Sequence, residues 1–206
     1  MEIVLENIGR RFNRDWIFKN ISQTFKPGEA YAILGANGSG KSTLLQIITG
    51  ILTPSTGSIS YYDSGAPIDI ENVFNKFSLA TPYMELIEEF SLEEHIHFHF
   101  RFKPYLEGFN ASSVLALLGL EKSKDKLIKN FSSGMKQRTK LALAFCSDTS
   151  ALLLDEPTAN LDTNGVDWYL NLIQKFAENR LLIVCSNQEH EYSFCQNRLN
   201  VMDYKS

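Results

Sequence analysis

An α/β fold with a mostly parallel, buried sheet is predicted by three observations. Short apolar runs, Ala30-Tyr31-Ala32-Ile33-Leu34, Ala151-Leu152-Leu153-Leu154 and Leu181-Leu182-Ile183-Val184-Cys185, are separated by helical patterns, as in sheets covered on both faces. The stretches Ile3 to Ile8, Ile21 to Phe25 and Gly57 to Tyr62 read instead as an N-terminal antiparallel β layer. Between the first apolar run and the helix that follows it lies Gly35-Ala36-Asn37-Gly38-Ser39-Gly40-Lys41-Ser42-Thr43, a complete G-x-x-x-x-G-K-[ST] loop. That loop makes the core one of the P-loop NTPase type. The 206 residues suffice for one large domain, spanning 1–206, with an insertion.

Each element follows from local signals. The helix after the loop opens at Lys41, runs through Leu44, Leu45, Ile47 and Ile48, and stops at Gly50. The loop glycines let the backbone wrap closely around a polyphosphate, and successive N–H groups at a helix N-terminus form an anion nest. Gly35, Asn37, Gly38, Ser39, Gly40, Lys41, Ser42 and Thr43 are therefore the expected nucleotide-binding residues. Lys41 is placed to reach the β- and γ-phosphates, and the Ser42 hydroxyl to ligate Mg²⁺. A turn at Thr53-Pro54-Ser55 leads into the strand near Tyr61, and another strand is expected at Phe77 to Ala80. Residues 83–134, which include Val114-Leu115-Ala116-Leu117-Leu118, read as an inserted helical lobe. Helices are expected from Met135 to Cys146 and from Val166 to Ala177. The last strand, ending near Met202, leaves almost no tail, so no appended regulatory domain is expected.

Composition bounds the possible functions. Hydrophobic residues make up 44% and charged residues 21%, ordinary globular values. A formal net charge of −4 gives no support to nucleic acid as a partner. No apolar run approaches the roughly 18 residues a membrane span needs, and the N-terminus lacks the pattern of a secretory leader, so a soluble, cytoplasmic chain is expected. Cys146, Cys185 and Cys195 are odd in number and irregularly spaced, as suits reduced thiols.

The reaction is suggested further along. Asp155 ends an apolar strand, where it can hold Mg²⁺ through water, and the adjacent Glu156 can polarise the water that attacks a γ-phosphate. Phe131-Ser132-Ser133-Gly134-Met135-Lys136-Gln137-Arg138 precedes that strand, and Thr158-Ala159-Asn160-Leu161-Asp162 follows the carboxylate pair. In this ordered set the chain resembles the ATP-binding cassette (ABC) family over essentially its whole length. The first segment looks like that family's signature motif and the second like the loop through which two cassettes exchange contacts.

The resemblance implies an ATPase that binds ATP and Mg²⁺ and works as a head-to-tail homodimer with a second ATP-binding subunit. Ser132 and the amides near Gly134 of one chain would close over the γ-phosphate held by the other. It further implies a separate transmembrane permease and a peripheral place on the inner face of the cell membrane. Soluble ABC ATPases that act as nucleotide-gated clamps are the alternative. Those commonly carry fused cassettes or a long coiled insert, and this chain shows neither. The adenine is expected on an aromatic residue of the first hairpin, Phe12 or alternatively Trp16.

Departures from the family pattern matter for turnover. Ser133 stands where glycine is usual and Met135 where glutamine is usual, although contacts made by backbone amides tolerate both. The segment from Asn72 to Glu94 holds no glutamine, where the family places one near Mg²⁺; Pro82 or Tyr83 occupies that position. Asn187 stands where a histidine usually meets the γ-phosphate. An amide donates a hydrogen bond but carries no charge and relays no proton, so a positioning role and slow turnover are expected. His190, a lesser candidate, is expected on the following helix. The run His95-Ile96-His97-Phe98-His99 would align three imidazoles only on a strand. Ser91-Leu92-Glu93-Glu94 has the form of a capping box and predicts a helix instead, with the histidines partly exposed. Glu85, Glu88, Glu89, Glu93 and Glu94 form an acidic cluster where the family docks its membrane subunit.

Overall fold

The computed structural model describes residues 1–205 and divides into two compact units. The first comprises residues 1–77 and 150–156 and the chain from 179 onward; the second comprises 78–149 and 157–178.

In the first unit, β1 (Glu2–Phe12) and β2 (Asp15–Phe25) form a hairpin. β3 (Ala30–Leu34) leads through the phosphate loop into α1 (Lys41–Ile48). β4 (Thr56–Asp63) and the short β5 (Ala66–Pro67) extend the antiparallel sheet, whose order is β2-β1-β4-β5. β1 runs past Ile8, where the simple alternation ends, because register irregularities between Leu5 and Ile8 and between Ile8 and Arg10 let pairing resume beyond them. β6 (Phe77–Ala80) straddles the boundary between the units.

The second unit is helical. Ser91 caps α2 (Leu92–His99): its side chain accepts from the Glu94 N–H while the Glu94 carboxylate accepts from the Ser91 N–H, so the expected capping box is present. α3 (Ala111–Leu118), α4 (Ser133–Phe145) and α5 (Thr163–Phe176) complete it. Leu92, Ile96, Val114, Leu118, Ile128 and Leu143 form its apolar core. This unit is wider than residues 83–134, because α4 packs on both α3 and α5.

One expectation fails in α2. His95 is 7% exposed, and the half-buried His99 places Nε2 3.0 Å from the Ser147 hydroxyl; only His97 among the three is exposed. Burial lowers the pKa of His95 and takes that of His99 down to about 4. Leu92, His95, Ile96 and His99 lie at i, i+3, i+4 and i+7, so they share the helix face that packs inward.

The parallel sheet of the first unit positions the functional residues. β7 (Ala151–Asp155), β8 (Leu181–Cys185), β3 and β9 (Asn197–Asn200) lie side by side in that order. Register pairs Ile33 with Cys185, and Cys185 with Asp155. Three strands therefore end in one row, and the segments leaving them emerge together. α6 (Glu189–Tyr192) follows β8 and carries the exposed His190.

Candidate functional site

The phosphate loop is built by backbone conformation. Gly35, Gly38 and Gly40 have φ of 149°, 74° and 107°, values that side chains oppose. At Gly40 a Cβ would also lie 2.5 Å from Ile17 Cγ2 and 3.2 Å from the Phe18 ring, so β2 approaches the loop closely there. Gly40 caps α1 without any side-chain hydrogen bond. The N-terminal N–H groups of α1 thus keep their capacity to bind an anion. Lys41, 5% exposed, donates from Nζ to the carbonyls of Gly35 at 2.9 Å and Ala36 at 3.3 Å, which folds its ammonium back over the loop. Ala36, Asn37 and Gly38 form the exposed crest.

Asp155, at the end of β7, is 1% exposed. Burial pushes its carboxyl upward and the neighbouring Glu156 charge adds to this, while Ser42 and Lys41 oppose it. Neither Oδ1 nor Oδ2 is held in a hydrogen bond of ordinary geometry. A buried carboxylate in that condition is costly unless a cation accompanies it. With the Ser42 hydroxyl beside it, the donors are oxygens alone, which suits a hard divalent cation such as Mg²⁺. Among the described residues no cluster of three or more His, Cys, Asp or Glu side chains offers a metal site. Mg²⁺ needs none, since it retains waters and shares its ligands with phosphate.

Glu156 is only half-buried and sits at φ 46°, a left-handed conformation that costs a non-glycine residue about 1 kcal/mol or more. Its N–H donates to the Cys185 carbonyl at 2.9 Å, which helps hold that conformation. Two residues beyond β8, the Asn187 amide donates from Nδ2 to Asn37 Oδ1 at 3.1 Å. The residue expected at the γ-phosphate thus meets the phosphate loop directly. Phe12 lies at the tip of the β1–β2 hairpin, 47% exposed, with the Arg10 guanidinium 4.5 Å from its ring centroid. Trp16 is half-buried beneath the Lys19 ammonium.

Ser132 and Gly134 belong to the second unit. Ser132 caps α4, its side chain accepting from the Met135 N–H at 3.2 Å. A Cβ on Gly134 would lie 3.0 Å from the Asn160 carbonyl, so the signature segment packs against the Thr158–Asp162 loop. Gln137, 3% exposed, donates to the Pro157 carbonyl at 2.8 Å and ties α4 to the start of that loop. Sequence reasoning missed this contact. Its one visible signal was Leu141, which lies one helical turn beyond Gln137 on the same face and opens the apolar run of α4.

Backbone N–H donors, an ammonium and an oxygen-only cation pocket at the carboxyl ends of parallel strands suit a chelated triphosphate, and they define a P-loop nucleotide-binding protein. Within that class the chain belongs to the ABC transporter family, which matches residues 18–159, and it folds as that family's ATP-binding cassette.

It is similar to the linearmycin resistance ATP-binding protein LnrL of Bacillus subtilis, at 28% identity over 96% of this chain and 65% of LnrL. It is also similar to the lantibiotic transport ATP-binding protein SrtF of Streptococcus pyogenes, at 29% identity over 89% of this chain and 78% of SrtF. Another curated relative is matched over only 8% of its own length. Its fold is similar to that in a dimeric structure of a bacterial ABC transporter cassette, with TM-score 0.81, 22% identity, and coverage of 96% of this chain and 93% of that one.

Proposed function

We propose that this chain is the ATP-binding and ATP-hydrolysing subunit of an ABC transporter, and that ATP-dependent closure of two cassettes head to tail drives a separate permease. The observation that carries the reading is the single row formed by the ends of β3, β8 and β7, from which the phosphate loop, Asn187 and the Asp155–Glu156 pair emerge together. The α1 N–H groups and Lys41 bind the phosphates. Ser42 and Asp155 would hold Mg²⁺, which when bound would neutralise charge on the triphosphate. Glu156 takes the proton of the attacking water, and Asn187 orients the γ-phosphate as a neutral donor, so turnover is slow. Phe12 offers the exposed ring on which adenine stacks. Ser132 and Gly134 of a second copy complete the site from outside.

The lantibiotic transport and linearmycin resistance functions named for the two bacterial relatives support a transport role. The dimeric cassette structure supports pairing of two copies. Docking of the permease is supported by a groove of about 720 Å³ in the helical unit, bordered by Pro82, Glu85, Glu88, Glu89, Lys136 and Lys140. Glu88 is already paired with Lys136 at 2.5 Å, which leaves Glu85 and Glu89 on the rim to suit a cytoplasmic permease segment bearing basic residues. Lys140 donates from Nζ to the carbonyls of Thr81 and Pro82, at 3.2 and 3.0 Å, and so braces the segment that lacks the glutamine.

The test is Glu156→Gln. Hydrolysis falls by at least about 100-fold as the general base is lost. ATP binding survives, and ATP holds the variant as a dimer in size-exclusion chromatography with light scattering. Hydrolysis at the wild-type rate sinks the assignment.

A further inference from the structure

The end of β8 contains a polar construction that the reaction as described does not use. Ser186 and Glu191 are both fully buried, and the Ser186 hydroxyl donates to Glu191 Oε2. Ser186 Oγ also accepts the Gln188 N–H at 2.8 Å, and the Glu191 N–H donates to the Gln188 carbonyl at 3.0 Å. These bonds close the turn 186–191 on both sides of Gln188. Residues 187–190 within it are exposed, and the first of these, Asn187, is aimed at Asn37. The frame below is fixed as well, since the Ser186 N–H donates to the Ile33 carbonyl at 3.2 Å.

A buried carboxylate is an expensive way to fill space, because desolvation opposes its charge and an apolar side chain would pack without that cost. A hydroxyl donated to a carboxylate is, by contrast, a strong and directional restraint. Glu191 also lies near enough to Asp155 for its charge to be felt there. The turn it closes is only a few residues long, so small changes in the Ser186 side chain pass directly to Asn187.

We propose that Glu191 is a positioning residue for ATP hydrolysis: acting through Ser186, it locks the 186–191 turn so that the Asn187 amide is held between Asn37 and the γ-phosphate. This rests on the assignment of Asn187 to the γ-phosphate above. Asn187 lacks the charge that would draw an imidazolium to phosphate, so its effect depends on geometry alone. A pre-set amide loses little entropy on engaging the phosphate; a free one loses more.

The experiment is a double-mutant cycle on the full chain, reading kcat and KM for ATP separately. Glu191→Ala and Ser186→Ala each lower kcat about tenfold and leave KM within about twofold, the signature of an interaction made in the transition state. Glu191→Gln restores most of the rate, because its amide oxygen still accepts the Ser186 hydroxyl. In an Asn187→Ala background, Glu191→Ala adds less than about a twofold further loss, since residues acting as one unit are not additive. If Glu191→Ala does not fold, as judged by thermal unfolding, Ser186→Ala carries the same cycle. The same tenfold loss in both backgrounds, or Glu191→Gln as slow as Glu191→Ala, overturns the proposal. Asn187→Ala with wild-type kcat overturns instead the assignment on which it rests.

Discussion

The N-termini of α1 and α4 offer the same physical device in opposite conditions. At α1 the cap is Gly40, in a left-handed conformation, with no side chain to satisfy the first-turn N–H groups. At α4 the cap is Ser132, extended, and its side chain already accepts the Met135 N–H. A helix end left unsatisfied seeks an anion, whereas one capped by its own serine is stable without it. The first also has the Lys41 ammonium folded over its loop, whereas the cation in the first turn of the second, Lys136, is paired with Glu88 at 2.5 Å. On the function proposed above, α1 would capture the triphosphate and α4 of a second copy would add to an anion already held. The two caps therefore predict ATP binding first and pairing second.

The harshest test of this contrast is Gly40→Ala. The left-handed backbone and the 2.5 Å approach to Ile17 both oppose a methyl group. A loss of about 2–4 kcal/mol of stability in denaturant unfolding is expected, with ATP binding abolished in a fluorescent-nucleotide titration. Wild-type affinity in that variant breaks the contrast at its stronger end.

Asp155→Asn sharpens the contrast next. Hydrolysis falls about 100-fold as the cation is lost. The ligand-free chain nevertheless becomes more resistant to unfolding, by about 1 kcal/mol, because a buried charge that Ser42 and Lys41 only partly offset is removed. A lower melting temperature without nucleotide shows that the carboxylate is satisfied in some other way.

The mildest changes are at α4. Ser132→Ala costs about 1 kcal/mol of stability through the lost cap, and ATP affinity of the separate chain stays unchanged. Gly134→Ala stays within about 1 kcal/mol of wild type, since alanine's gain in helix propensity offsets the tight approach to the Asn160 carbonyl. If either variant weakens ATP binding in chains held apart by dilution, the two helix ends are not distinct.

What could be read ahead of the fold follows how local each cause is. Ser91 and Glu94 satisfy one another across a single turn, so the start of α2 was legible from four letters. The burial of His95 was legible in principle, because Leu92, Ile96 and His99 mark the face it shares, but three alternating histidines drew attention to exposed chemistry. Glu191 offered no such handle: α6 spans only Glu189–Tyr192, too short to display a period.

By itself the sequence determined the parts whose physics is short-ranged. Glycine spacing from Gly35 to Gly40 dictates an anion nest, and the apolar runs dictate buried strands ending at Asp155 and Cys185. Only the tertiary structure decided what those ends meet. Parallel register sets Ile33, Cys185 and Asp155 in one row, and it brings Asn187 to Asn37 across 150 residues of chain. It also leaves both oxygens of Asp155 without a bond and gives Glu191 a buried hydroxyl to hold. Hydrogen bonds and desolvation act over a few ångströms, and which groups come that close is settled by packing of the whole sheet.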